Sequence, residues 1–77
     1  MDVETAIKCC VEKFPGRWPI GYWKHGDNII LNTKLTKQAA DLTAPAQFLI
    51  TPNGEVHGIN PIIYDLSIDT MKKIRKS

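Results

Sequence analysis

Gln47-Phe48-Leu49-Ile50-Thr51-Pro52-Asn53-Gly54-Glu55-Val56-His57-Gly58-Ile59-Asn60 holds two apolar runs with the chemistry of a tight turn between them. Asn53-Gly54 supplies residues that tolerate positive φ, and Pro52 presets the approach to the turn, so the stretch reads as a β-hairpin. The rest of the chain is then read as what must pack with that hairpin.

Upstream, Ile20-Gly21-Tyr22-Trp23-Lys24-His25 and Asn28-Ile29-Ile30-Leu31-Asn32-Thr33 flank a Gly26-Asp27 turn, which predicts a first hairpin rich in β-branched and aromatic residues. Ile29-Ile30-Leu31 is a continuous apolar run and does not reveal which face points inward. Before it, Val3, Ala6, Ile7, Cys10, Val11 and Phe14 fall on one face of a helix, with Asp2 as N-cap and Pro15-Gly16 as the stop. Cys10 faces the core in this reading, Cys9 sits beside the stripe, and Glu4, Lys8 and Glu12 form an exposed ladder.

Residues 34–46 make a long connection with room for one helical turn around Ala39, Ala40 and Leu42, capped by Thr36. Pro61-Ile62-Ile63-Tyr64 is read as a crossing to a closing helix, with Ser67 as its N-cap, Leu66 and Met71 as a hydrophobic staple and Ile68, Met71 and Ile74 as its stripe. The order is α-β-β-β-β-α. The fold class is α+β: a two-layer sandwich in which a four-stranded antiparallel sheet of two hairpins packs on the N-terminal helix, as one domain over residues 1–77.

A chain of 77 residues buries about 60% of its unfolded surface, enough for one core. Hydrophobic content of 43% against 23% charged residues is that of a globular domain rather than a disordered one. The net charge of +2 falls short of a dedicated nucleic-acid binder, although Lys72, Lys73, Arg75 and Lys76 crowd the last six residues, where they suit the end of a helix. Cys9 and Cys10 are adjacent and bridge only through a strained ring, so they read as free thiols in a reducing compartment. With no signal-peptide pattern and no apolar run near the ~18 residues of a membrane span, a cytoplasmic protein is expected.

His25 and His57 each precede a glycine beside a hairpin turn, and two histidines are the minimum for acid and base work near neutral pH. With Lys24 and Arg17 to neutralise a phosphate, a small endoribonuclease is one reading. Strand alternation puts polar side chains on a solvent face without any function, which is the plainer one. Neither a glycine-rich phosphate loop nor a nucleophile elbow is present, and a Cys-Cys pair on a helix points its thiols about 100° apart. No enzyme, metal or cofactor is expected.

The surface of most interest is Arg17, Trp18, Tyr22, Trp23, Lys24 and His25. Trp, Tyr and Arg dominate protein interface hot spots, and the same rings stack on single-stranded nucleic acid. Small domains also need aromatic area for their core, a demand that weighs more on Trp23 than on Trp18. The expectation is a non-enzymatic interaction domain, an accessory or inhibitor protein that binds another protein, with a nucleic-acid module as the alternative. The uncharged stretch Gln47–Thr51, if it lies at a sheet edge, invites a symmetric homodimer.

The helix ending in Phe14-Pro15-Gly16, the hairpin after it and the second hairpin from Phe48 to Pro61 resemble small bacterial and prophage α+β proteins of unknown function. The pattern is also similar to some immunity proteins of bacterial toxin systems, in which a hairpin ending in Gly-Glu-Val, here Gly54-Glu55-Val56, closes the sheet. The resemblance spans roughly residues 6 to 61. It implies a bacterial or phage protein that binds a protein partner, and it assigns no site residue.

Overall fold

In the computed structural model, which describes residues 2–35, 46–60, 64 and 66–74, the N-terminal stripe forms α1, Val3–Lys13. Asp2 caps it from extended backbone: its carboxylate accepts the Thr5 N–H at 2.8 Å, and that bond holds the carboxyl below its ordinary pKa. At the other end the Phe14 N–H donates to the Cys10 carbonyl at 2.8 Å. The Arg17 N–H then donates to the Phe14 carbonyl at 3.0 Å, which folds Pro15-Gly16 into the turn that stops the helix.

Two hairpins follow, β1 (Arg17–His25) with β2 (Asn28–Leu35) and β3 (Gln47–Ile50) with β4 (Val56–Gly58). Gly26, at φ +59°, makes the two-residue turn between the paired His25 and Asn28. In the second hairpin Gly54 takes φ +87° and donates its N–H to the Thr51 carbonyl at 2.9 Å. The Glu55 N–H donates to the Thr51 hydroxyl at 3.1 Å, so the Thr51-to-Glu55 loop closes on its own polar groups.

The closing element differs from the expected helix. Ser67 does cap a turn, accepting the Asp69 N–H on its hydroxyl at 3.2 Å, but the turn is a single 3₁₀ turn, Ile68–Thr70, and the chain then extends into β5, Lys72–Lys73. The reason lies in the competing partner. Three apolar residues spaced by three support only a marginal helix, whereas the outer edge of β1 offers open backbone groups. β5 takes them, pairing Gly21 with Lys73 and Tyr22 with Lys72, and the Ile74 N–H donates to the Ile20 carbonyl at 3.0 Å.

The sheet therefore has five antiparallel strands rather than four, in the order β4-β3-β2-β1-β5. The α+β class and the packing of a sheet on the N-terminal helix stand. Gln47–Ile50 is not an edge: β3 pairs with β2 on one side and β4 on the other, which removes the route to a dimer through that strand. The outer strands are three and two residues long, and β5 is all lysine, both familiar ways of blunting an edge.

β2 is buried on both faces of the sheet, which accounts for the unbroken Ile29-Ile30-Leu31 run. On one face Ala6 and Cys10 of α1 pack on Ile29, Leu31, Phe48 and Ile50, with the Phe14 and Phe48 ring centroids 4.6 Å apart. On the other, Trp23, Ile30, Leu49 and His57 form one cross-strand row. The described residues just before β5 strap that side: Tyr64 meets the His25 ring edge-on at 5.2 Å, the Trp23 indole N–H donates to the Ser67 carbonyl at 2.9 Å, and the Asn32 amide reaches Met71 Sδ at 3.5 Å. Met71 also lies on Gly21, where any side chain would overlap its Cγ, Sδ and Cε. The expected helical turn around residues 36–42 and the crossing at 61–63 lie outside the described residues.

Candidate functional site

All six surface candidates lie on β1, and strand alternation, with a bulge that inserts Ile20 between the paired Pro19 and Gly21, distributes them over different surroundings. Tyr22 packs on the core beneath α1, and Trp18 lines a groove against the same helix. Trp23 and His25 are engaged from the opposite face by Ser67 and Tyr64. Lys24 is exposed at the hairpin tip, on a depression shared with Asp27, Asn28 and Pro52, and Arg17 is half-buried where β1 begins. No one surface unites the six.

What β1 does build, with α1 and β5, is an apolar groove. Its main part, about 480 Å³, has Val3 and Ile7 of α1 on one side and Trp18, Tyr22 and Ile74 on the other. A shallower extension of about 220 Å³ continues past Ile7 and Trp18 to Val11. Val3, Ile7 and Val11 stand four residues apart, one straight row along the helix flank, and all three are half-buried. Ile74 reaches the groove because β5 pairs beside Tyr22. The local sequence reads Ile74 as part of a closing helix, and Lys72-Lys73 suits a helix end as well as a protected edge, so nothing local signals the strand.

The groove's rim is charged. Glu4 and Lys8 border the main part and Lys8 and Glu12 the extension, all three exposed. None of them closes an ion pair with another described residue; the ion pair seen among those residues is His57 Nε2 to Glu55 Oε2, 3.3 Å, both side chains exposed at the β4 edge of the sheet.

The two histidines do not converge. His25 ends β1 and His57 is central in β4, three strand spacings away, or ~14 Å. That exceeds the reach of a general acid and a general base acting on one phosphate, each of which must lie within hydrogen-bond distance of its proton. Cys10 is fully buried, and burial, with the neighbouring Cys9 as a lesser cause, pushes its thiol up to about 11, the opposite of an activated nucleophile. Cys9 is half-buried beside Gly54. Among the described residues no three His, Cys, Asp or Glu side chains gather to hold a metal ion, and no helix is long and apolar enough to cross a membrane.

In comparisons with known proteins, no family model, no curated protein and no solved structure matches this chain.

Proposed function

We propose that this domain is a non-enzymatic protein-interaction module, of accessory or inhibitor type, that binds its partner through the groove between α1 and β1. The observation that carries this reading is the half-buried pair Trp18 and Tyr22, which with Val3, Ile7 and Ile74 line an apolar groove open to solvent. Aromatic side chains in a pocket, ringed by polar groups that exclude water, are the usual anatomy of an interface hot spot. The mixed charge of the rim favours protein over nucleic acid, because Glu4 and Glu12 repel phosphates that a binding cleft must attract. The resemblance to immunity proteins points the same way.

A tagged domain recovered from its native cells, with nuclease treatment and a salt series, tests the reading. A stoichiometric protein that survives both treatments, and is lost when Trp18→Ala replaces the native domain, is the expected result. Release of all bound material by nuclease or moderate salt favours the nucleic-acid reading instead.

A further inference from the structure

Asn53-Gly54 shapes the second hairpin, and the same pair carries a chemistry that its turn role does not use. A backbone nitrogen that follows asparagine can attack the side-chain amide, and the attack is easiest when the next residue is glycine, which has no Cβ to crowd it. The chain has four asparagines. Asn28 and Asn32 precede the β-branched Ile29 and Thr33 within β2, and Asn60 precedes Pro61, which has no backbone N–H to deprotonate. Asn53 alone of the four combines a following glycine with an exposed place in a turn.

The turn controls that attack. The Gly54 N–H donates to the Thr51 carbonyl at 2.9 Å, the Glu55 N–H to the Thr51 hydroxyl at 3.1 Å, and the Thr51 N–H to the Glu55 carbonyl at 3.0 Å. The reacting nitrogen is therefore tied inside a closed loop. Its proton must leave before it attacks, and the cyclic imide that forms has no hydrogen on that nitrogen, so the bond to Thr51 has to break first. With the proton gone, the Thr51 oxygen would face a nitrogen lone pair, an acceptor against an acceptor.

We infer that Asn53 is a site of spontaneous deamidation, gated by opening of the Thr51-to-Glu55 loop. In the open loop, base removes the Gly54 amide proton and the nitrogen bonds to Asn53 Cγ; the Cγ–Nδ2 bond breaks, and the leaving nitrogen takes a proton from solvent to depart as ammonia. Water then opens the cyclic imide. Cleavage of its N–Cγ bond gives aspartate, whereas cleavage at the main-chain carbonyl gives isoaspartate, whose backbone runs through Cβ and Cγ. Nothing is oxidised or reduced. Either product places a new carboxylate two residues from Glu55, and the isoaspartyl form also lengthens the chain at Gly54, beside Cys9 of α1.

The full chain is held in mildly alkaline buffer, native in one set and unfolded in urea in another, and sampled by peptide mapping, which separates the aspartate and isoaspartate forms from the asparagine form. The native chain is expected to lose Asn53 on the order of tenfold or more slowly than the unfolded one, because only the open fraction reacts. Thr51→Val keeps the side-chain shape and removes the hydroxyl that accepts from Glu55. Folded, this variant should react about fivefold faster than the native chain, with Gly54 amide exchange rising in proportion and the rate in urea unchanged. Equal rates in the folded and unfolded native chain overturn the gating, as does a folded Thr51→Val chain that reacts at the native rate. Modification at Asn28, Asn32 or Asn60 in preference to Asn53 overturns the site.

Discussion

Cys10 shows how burial becomes a measurable pH dependence. Its thiol ionises near 9 in an ordinary setting and near 11 in the fold, so the folded chain holds the proton more tightly than the unfolded one. The stability linked to that proton is fully present below about 9 and is lost as the pH rises toward 11, by ~2–3 kcal/mol at the upper end. Urea midpoints across this range should fall in the native chain and fall less in Cys10→Ala; identical slopes would mean that Cys10 is not held neutral. Gly21 acts by having no side chain. Gly21→Ala is expected to cost about 1–3 kcal/mol by displacing Met71, and in a double-mutant cycle Met71→Ala should recover part of that loss. The inward place of Cys10 was legible from helical spacing. The need for glycine at 21 was not, because the atoms that require it arrive from the far end of the chain.

Between elements, the decisive contest is over the outer edge of β1. α1, its Asp2 cap, its Pro15-Gly16 stop and both hairpins were readable because each depends on residues within one turn or one loop of each other. The closing helix was misread for the opposite reason. Ile68, Met71 and Ile74 suit a helix locally, and the edge that captures Lys72-Lys73 instead exists only once β1 and β2 have paired. Ile74→Pro removes the N–H that the Ile20 carbonyl accepts and should destabilise the domain by ~1–3 kcal/mol, with faster hydrogen exchange along the strap over Trp23. Exchange unchanged across residues 66–74 would mean that β5 does not anchor the strap. The lysines serve a second purpose at that edge. Lys72→Val with Lys73→Thr should promote self-association in sedimentation experiments, while the native chain sediments without it.

For the whole molecule, α1 packs on one face of the five strands, and between α1, β1 and Ile74 the described residues leave an apolar groove lined by Val3, Ile7, Trp18 and Tyr22. Trp18 and Tyr22, candidates by residue type alone, both line that groove. Their separation from Trp23 and His25 was not legible, since it follows from the Ile20 bulge and from which face the strap covers. The two tryptophans should therefore behave differently. Trp23→Ala removes an indole bonded to Ser67 beside Ile30 and is expected to cost a few kcal/mol of stability, whereas Trp18→Ala should leave the fold intact and abolish partner binding. The most direct test of the central claim is hydrogen exchange on the domain alone and in complex with its captured partner. Protection gained along residues 3–11, 18–22 and 72–74 is the predicted result; protection gained at the β4 edge or the hairpin tips, with those segments unchanged, would contradict it.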